Sequence, residues 1–295
     1  MALHFDRSLD VPAGVPVRLS PLVERLLAPN PGPFTFRGTG VYIVGGGDSV
    51  AVIDPGPAIP AHLEALKRAL GGRKVSHILI THTHNDHSPA AAPLKAWSGA
   101  KTYSAHEHPL TLTAEEGVVD EAHDRAFVPD AALRDGNIIA GDGFIFQCVA
   151  TPGHTGDHMC YALHQEQALF SGDHVMGWST SVVAPPDGDM AQYIASLEKL
   201  AARDDRIFYP THGSPITAPQ DFVRELVIHR RQRAAQIASA VARGTGSIGA
   251  LVEKLYPDIS PALRAAAGAQ IKAHLDQMLK EGAIVRDGLS YRPLP

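Results

Sequence analysis

Residues 81–87 read Thr-His-Thr-His-Asn-Asp-His and directly follow an apolar run. Three imidazoles and one carboxylate within six positions would each need a buried partner if they served packing alone. As metal ligands they are explained together. His82 and His84 stand two positions apart as the chain leaves a strand and so point the same way, whereas Asp86 and His87 turn onto the next helix and can face a second ion. Imidazole and carboxylate ligands favour Zn²⁺, with Mn²⁺ or Fe²⁺ as alternatives.

Three further polar clusters follow other predicted strands. They read Thr-Pro-Gly-His-Thr-Gly-Asp-His at 151–158, Ser-Gly-Asp-His at 171–174 and Pro-Thr-His-Gly at 210–213. Loops at strand ends are where catalytic groups gather, and the neighbouring glycines let the backbone approach a metal closely. We therefore expect these clusters to add ligands to the same site. The candidate ligands that they supply are His154, Asp173 and His212.

The pattern of the first 220 residues predicts an α/β fold. Residues 1–37 are expected to hold an opening strand and loops, and the glycine turn at 45–48 joins two β-branched runs into a hairpin. Groups of strands followed by helices imply two mixed sheets between layers of helices. The predicted strands are 41–44, 50–53, 75–80, 101–104, a pair within 137–149, 159–163, 168–171 and 206–209; the predicted helices are 60–70, 88–97 and 190–202. An acidic, irregular surface insert is expected at 115–130.

The pattern changes after residue 220. Three helices are predicted, at 222–242, 248–256 and 261–280, and the Asp-Gly pair at 287–288 predicts a tight hairpin after them. Three helices and a hairpin outline a winged-helix module. Charge divides at the same point, since residues 1–220 carry 15 Lys and Arg against 24 Asp and Glu, while residues 221–295 carry 11 against 7. We therefore predict two domains, 1–220 and 221–295.

Composition excludes several classes of protein. The chain has 295 residues, 44% of them hydrophobic, and a formal net charge of −5, which argues against a protein that coats nucleic acid with its whole surface. Neither a signal peptide nor a membrane-spanning run is visible in the sequence. Cys148 and Cys160 are interpreted as reduced core thiols. The expected location is the cytoplasm, and the sequence leaves open whether the chain forms an oligomer.

The H-x-H-x-D-H motif, together with His154, Asp173 and His212, resembles the metallo-β-lactamase superfamily over about residues 35–220. The resemblance implies an αββα sandwich and a two-metal site. One ion would be held by His82, His84 and His154, the other by Asp86, His87 and His212, with Asp173 shared between both. Asp54 matches the buried acid that orients ligands in this family, although it also suits an ordinary turn.

The number of ligands suggests the chemistry. The set leaves coordination positions open on both ions, which is typical of a catalytic metal site. Water held between two divalent ions about 3.5–4 Å apart loses a proton near neutral pH, so a metal-bridging hydroxide is the expected nucleophile of a hydrolase. Asp86 could pass a proton to the leaving group, or serve only as a ligand. Asp86 and Asp173 are the predicted catalytic residues.

Other histidines fit less specific interpretations. His106 and His108 imitate the H-x-H spacing but lack the following Asp-His, so we expect them in solvent or at a helix start. His158 lies inside a ligand cluster and is expected to support the ligands rather than to bind metal. Trp178 follows Asp173 and is a candidate substrate contact, with core or lid packing as the alternative.

The substrate class depends on departures from relatives and on the C-terminal module. Asp173 stands where β-lactamases of this superfamily usually carry Cys or Ser, and His84 stands where the flavin-linked di-iron reductases carry Glu. The added winged-helix module, whose first helix has Arg230, Arg231 and Arg233, is similar to the beta-lactamase-like protein 2 group. That similarity implies an endoribonuclease acting on single-stranded RNA. The alternatives are a glyoxalase-II-like thioesterase or small ester or lactone hydrolase, and a winged-helix nucleic-acid-binding regulator with an unused metal site. The three arginines could equally be a solvated helix face or a dimer contact.

Overall fold

The computed structural model describes residues 3–105 and 123–294. The first sheet comprises β1 (Val17–Arg18), β2 (Val23–Leu27), β3 (Gly40–Val44), β4 (Ser49–Ile53), β5 (Lys74–Leu79), β6 (Lys101–Ala105) and β7 (Ala131–Leu133). These strands lie side by side in chain order. β1 to β4 are antiparallel, and β4 to β7 run parallel to one another. The predicted hairpin around residues 45–48 is confirmed as β3 and β4.

The second sheet comprises β8 (Ile138–Gly141), β9 (Phe144–Ala150), β10 (Met159–Leu163), β11 (Ala168–Gly172) and β12 (Ile207–Pro210). Its spatial order is β12-β11-β10-β9-β8, with β11 and β12 parallel and the remaining pairs antiparallel. Large side chains from the facing surfaces of both sheets are buried between them, among them Tyr42, Ile53, Phe146, Tyr161 and Phe170. Burial of each such side chain contributes about 1.5–3 kcal/mol, so this layer holds the two sheets together.

Helices cover the outer faces of both sheets. α1 (Pro60–Leu70) and α2 (Ala91–Ser98) contribute Leu66 and Leu94 to a core against the first sheet. α3 (Met190–Ala201) contributes Leu197 to a core against the second. Pro60 starts α1, where its fixed φ suits a first turn, and Gly71 ends it in the left-handed conformation at φ 60°. The predicted sandwich of two mixed sheets between helices is confirmed.

The C-terminal part continues from the sandwich through one long helix. The elements are α4 (Pro219–Ala242), α5 (Ile248–Leu255), a 3₁₀ turn (Pro261–Leu263), α6 (Arg264–Lys280) and the antiparallel strands β13 (Ile284–Asp287) and β14 (Ser290–Pro293). The first half of α4 buries Val223 and Leu226 in the core of the second sheet. Its second half buries Ile237 and Val241 with α5, α6 and the hairpin. The predicted boundary at residue 220 therefore falls inside a continuous helix that belongs to both cores.

β2 and β7 are among the described strands that were not predicted individually. β2 carries Glu24 and Arg25, which obscure its apolar pattern; Arg25 is buried because its guanidinium donates to the Gly213 carbonyl oxygen at 2.9 Å. β7 is only three residues long. His106, His108 and residues 115–122, which are half of the predicted acidic insert, lie outside the described residues. Among the helices that are described, none is long and apolar enough to cross a membrane.

Candidate metal centre

The four polar clusters meet at one end of the sandwich. Residues 81–87 leave β5 of the first sheet, whereas residues 151–158, Asp173 and His212 follow β9, β11 and β12 of the second. Backbone hydrogen bonds join these segments, from Met159 N to the Thr81 oxygen at 2.8 Å and from Thr211 N to the Gly172 oxygen at 3.2 Å. The strand ends of both sheets therefore form one site.

The structure brings all seven predicted ligands together. They form three groups in which the ligand atoms lie within 4.8 Å of one another: His82, His84 and His154; His82, His87 and Asp173; and Asp86, His87 and His212. Asp173 Oδ2 lies 3.4 Å from His212 Nε2, 3.6 Å from His87 Nε2 and 4.0 Å from His154 Nε2. The carboxylate of Asp173 is thus within reach of both predicted ligand sets, as a shared ligand would have to be.

The side chains present fit two metal ions. His87 Nε2 and Asp173 Oδ1 are buried and make no hydrogen bond to any described residue. On the other side of the site, His84 Nδ1 lies 2.8 Å from His82 Nε2 and 3.3 Å from His154 Nε2. Converging nitrogen lone pairs repel one another unless a proton or a cation lies between them. The nitrogen and oxygen donor set suits Zn²⁺, with Mn²⁺ and Fe²⁺ as alternatives.

Electrostatics favours the ligating forms of His82, His84 and Asp173, whereas Asp86 and Asp173 outweigh burial and raise the pKa of His87 well above its ordinary value and the pKa of His212 to about 10. Burial, reinforced by the neighbouring imidazoles, lowers the pKa values of His82 and His84 well below the ordinary value and keeps both rings neutral. Burial alone would raise the pKa of Asp173, but His212 and His87 outweigh it and lower that pKa well below the ordinary range. The carboxylate therefore stays ionised and attracts positive charge to the middle of the site.

Hydrogen bonds at the far ring nitrogens orient three of the histidines. His87 Nδ1 donates to Asp54 Oδ2 at 3.0 Å, and His154 Nδ1 donates to the Val182 carbonyl oxygen at 2.6 Å. His212 Nδ1 lies 3.2 Å from the Gly38 carbonyl oxygen. Each contact fixes the proton on Nδ1 and leaves Nε2 as the ligand atom. Asp54 thus contacts a predicted ligand directly, and its φ of 48° shows that it also occupies a tight bend.

His158 contacts the backbone of the ligand loop. Its Nε2 accepts hydrogen bonds from the backbone N–H groups of Asp173 and His174, both at 3.2 Å. Its Nδ1 lies 2.8 Å from Thr151 Oγ1. With both ring nitrogens engaged in this way, His158 holds Asp173 in place, which agrees with the expected supporting role.

His123 lies beside the centre, although no pattern in the sequence singles it out. Its ring centroid is 4.8 Å from that of His84, and its Nε2 is 3.2 Å from Asp187 Oδ2. Asp187 in turn accepts from Gly156 N at 2.9 Å. This pair connects three segments around the site. No motif marks His123 in the sequence, because the nearest predicted ligands along the chain, His87 and His154, are both more than 30 positions away.

A cavity of about 500 Å³ opens onto the centre between the sandwich and the C-terminal helices. Phe36 and Trp178 stack at one side of it, with ring centroids 4.9 Å apart and an interplanar angle of 10°. The predicted substrate contact, Trp178, therefore does line the cavity while also packing on another ring. The other lining residues are mostly apolar, and the set includes Pro33, Phe34, Met176, Tyr256, Ile259, Leu263, Ala266 and Ala267, together with His154, Asp173 and Gln270.

The three arginines of α4 have different surroundings. Arg230 is 2% exposed, its Nη2 donates to the Ser181 carbonyl oxygen at 2.5 Å, and its guanidinium lies 4.9 Å from the Tyr193 ring centroid. Arg231 is exposed and pairs with a glutamate of α3. Arg233 lies 4.3 Å above the Tyr256 ring. The interpretation of these arginines as a solvated face is therefore wrong for Arg230, which is buried where α4 packs on the sandwich.

Comparison with known proteins gives the same superfamily that the sequence motifs resemble. Residues 35–212 match the family model described as the metallo-beta-lactamase superfamily, and residues 247–292 match the beta-lactamase associated winged helix domain. The chain is 31% identical to the beta-lactamase-like protein 2 homolog of Caenorhabditis elegans, over 90% of this chain and 87% of that protein. It is also 31% identical to the atrochrysone carboxyl ACP thioesterase dmxR1 of a Cryptosporiopsis species, over 76% of this chain and 64% of that protein.

One solved structure has a similar fold over nearly the whole length of this chain. A beta-lactamase domain protein from Burkholderia ambifaria superposes with a TM-score of 0.82 at 20% identity, covering 98% of this chain and 97% of that one. At this identity the likeness concerns the fold alone. Together with the family matches and the clustered histidines and aspartates, it shows that this chain belongs to the metallo-beta-lactamase superfamily, as a metal-dependent hydrolase with a C-terminal winged-helix domain.

Proposed function

We propose that this protein hydrolyses thioesters, or closely related esters, whose acyl group is largely apolar. The observation that carries the proposal is the cavity beside His154 and Asp173, whose walls are mostly aromatic and aliphatic. Apolar surface removed from water contributes about 25 cal/mol per Å² to binding or folding. A cavity of this kind therefore favours an acyl chain or aromatic ring over a phosphodiester backbone.

The charges near the centre support this choice over RNA. Arg7 is the one arginine or lysine among the described residues that line the cavity. Proteins that bind RNA neutralise its phosphates with several Lys and Arg side chains. Arg230, one of the three arginines on the first helix of the C-terminal module, is buried and hydrogen-bonded within the fold. Our proposal thus reverses the order of the two substrate classes that the sequence suggested, and RNA cleavage stays a prediction.

The seven ligands, which include Asp86, have separate roles in the proposed hydrolysis. Two ions held by the seven ligands would activate water and polarise the scissile carbonyl. Asp173 would be shared between the ions. Asp86 accepts a hydrogen bond from Thr39 Oγ1 at 2.8 Å, and its side chain is 23% exposed, so its carboxylate is open to a bound substrate. Hydrolysis adds the oxygen of water to the acyl carbon and breaks the bond to sulfur, and the Asp86 carboxylate can take up the proton that the water loses and pass it to the leaving sulfur.

A relative is consistent with this substrate class. The protein named as an acyl carrier protein thioesterase shares 31% identity with the chain, although the chain spans only 64% of its length. Thioester hydrolysis is therefore the reaction to test first.

RNA is the second candidate because of one feature of the C-terminal unit. A surface concavity of about 540 Å³ is lined by Arg233, Arg243 and Lys254, with no acidic residue among the described lining residues. Three cations that converge in this way can bind phosphate. The winged-helix regulator with an unused site stays the third possibility, and a cytoplasmic location and any oligomeric state stay predictions.

The test is a side-by-side panel of substrates. Protein loaded with Zn²⁺, Mn²⁺ or Fe²⁺ is assayed against an acyl thioester, an ester, a lactone and a fluorescent single-stranded RNA, with Asp86→Asn and His87→Ala as inactive controls. We expect metal-dependent thioester hydrolysis that both substitutions reduce at least 100-fold, on the scale of one general acid-base group. RNA cleavage with the same dependence, and no hydrolysis of thioester or ester, would overturn the proposal.

A further inference from the structure

Two residues of the cavity wall carry buried N–H donors that have no acceptor among the residues that the structure describes. Gln270 Nε2 and Trp178 Nε1 are both shielded from solvent, and neither makes a hydrogen bond to a described residue. Gln270, on α6, is only 7% exposed. Buried donors are nearly always satisfied in proteins, so two in the wall of one substrate cavity point to a ligand that carries acceptors.

The orientation of the Gln270 amide is determined by its surroundings. Its Oε1 accepts a hydrogen bond from Val183 N at 3.1 Å. Exchange of the amide oxygen and nitrogen would place the NH₂ group against this backbone N–H, which also donates. Nε2 must therefore stay the atom that is left without a partner, and its two protons are available to a ligand.

The position of the Trp178 indole is determined as well. Its ring is stacked on Phe36, and its carbonyl oxygen accepts from Arg7 Nε at 3.4 Å. Residue 177 is a glycine packed on the backbone of Ser214, where a Cβ would lie 2.2 Å from a carbonyl oxygen. The segment before the tryptophan therefore cannot carry a larger side chain without moving. The Phe36 ring therefore restrains one face of the indole, and the contacts of Gly177 and of the Trp178 carbonyl oxygen restrain the backbone. Together they limit the directions in which the indole N–H can point.

We propose that Gln270 and Trp178 form a specificity subsite that binds neutral oxygen acceptors on the acyl group. The proposal rests on the proposed thioester function and names its substrate class, an acyl thioester with a keto, ether or hydroxyl oxygen inside an otherwise apolar body. Both donors are uncharged N–H groups, so neutral oxygen acceptors match them without the desolvation cost of a buried charge. One donor comes from the loop after β11 and the other from α6, so the C-terminal unit takes part in choosing the substrate.

The kinetic test compares acyl groups that differ only in oxygen. Decanoyl thioesters with a keto group at successive positions of the chain are compared with plain decanoyl thioester on the metal-loaded protein. We expect kcat/KM for at least one keto position to exceed the plain chain about tenfold, since a site built to hydrogen-bond a substrate discriminates against one that lacks the group.

Two substitutions remove the donors one at a time. Trp178→Phe keeps an aromatic ring on Phe36, and Gln270→Glu keeps an oxygen that can accept from Val183 N. In each variant the ratio of kcat/KM between the preferred keto chain and the plain chain should fall toward one. Trp97→Phe and Gln232→Met are the matched controls, because both residues are exposed and lie outside the cavity, and they should keep the wild-type ratio.

A binding measurement separates this proposal from the proposed function. The chain has two tryptophans, so in Trp97→Phe protein the fluorescence comes from Trp178 alone. Non-hydrolysable thioethers, with and without the keto oxygen, are titrated into this protein. Tighter binding of the keto compound, with a red shift of the indole emission, supports the subsite even if no thioester is hydrolysed. Equal affinity of the two compounds and unchanged emission would overturn it even in an active thioesterase, and would leave water as the partner of both donors.

Discussion

The buried guanidinium of Arg230 donates a hydrogen bond to the carbonyl oxygen of Ser181 at 2.5 Å. The hydroxyl of Ser181 donates in turn to the backbone oxygen of Asp173, and the next residue, Val182, accepts from His154 Nδ1 at 2.6 Å. Two predicted metal ligands are therefore attached to a loop that a C-terminal helix holds in place. The C-terminal unit contributes to the metal centre as well as to the wall of the cavity.

Loss of the Arg230 contact should weaken metal binding. In Arg230→Met the Ser181 oxygen loses its buried donor, and the loop that orients His154 and Asp173 becomes less restrained. We expect the metal dissociation constant to rise about tenfold, the lower end of the effect of removing a partner that orients a ligand. Competition with a chromogenic chelator measures it, with Arg231→Met as the exposed control on the same helix. Equal affinities in the two variants would show that the contact serves packing only.

Asp54 should matter for metal affinity without contacting the metal itself. In Asp54→Ala, His87 Nδ1 loses its acceptor, and the Thr81 backbone N–H and hydroxyl, both 2.8 Å from the carboxylate, lose theirs. We expect metal affinity to fall 10- to 100-fold. The control is Asp48→Ala, in the exposed turn before β4. A variant that binds metal as tightly as the control would contradict the role that the hydrogen bonds assign to Asp54.

Metal removal should lower both activity and stability. The site concentrates imidazole and carboxylate groups that a cation would bring together, so ions that bind only the folded chain stabilise it by mass action, by about 2.7 kcal/mol at a free concentration 100 times the dissociation constant. We expect two ions per chain by elemental analysis, a lower thermal midpoint after chelation, and about one ion per chain in His212→Ala. Wild-type protein that holds a single tight ion under the same conditions would rule out the dinuclear arrangement.

Stability should fall below pH 6.5 partly through His274. Burial, reinforced by Arg230, Arg233 and His229, lowers the pKa of His274 to about 3. The folded protein keeps this ring neutral while the unfolded chain protonates it near pH 6.5. The free energy of unfolding from this group is therefore constant above pH 6.5 and declines as the pH falls from there toward 3, by up to about 1.4 kcal/mol per pH unit.

Urea denaturation between pH 4 and pH 7 tests this prediction. In His274→Leu the slope of the unfolding free energy against pH should be shallower than in the wild type by about that amount. Both ring nitrogens of His274 lack a hydrogen-bond partner among the described residues, so leucine removes no hydrogen bond. His164→Gln, at an exposed position, should keep the wild-type slope. Identical slopes in all three proteins would mean that folding does not lower the pKa of His274.

Much of the fold follows from local sequence. α1 spans the predicted residues because Pro60 and Gly71 mark its ends, and β10 was predicted to the residue because turns flank a short apolar run. The strand β2 was harder to predict, since the buried Arg25 guanidinium donates a hydrogen bond to Gly213, almost 190 residues away. The residues next to Arg25 in the sequence do not indicate such a distant contact, so the strand could not be predicted from them.

The sequence by itself determined the seven candidate ligands, because imidazoles and carboxylates at strand ends have few other uses and their spacing is local. Only the tertiary structure decided that Arg230 is buried, that α6 presents Gln270 to the cavity and that the cavity is apolar. These properties depend on how α4 and α6 pack against the loop after β11. That packing joins residues about 50 to 90 positions apart. The sequence pattern around one of the two contacting residues does not indicate which distant residue it will contact.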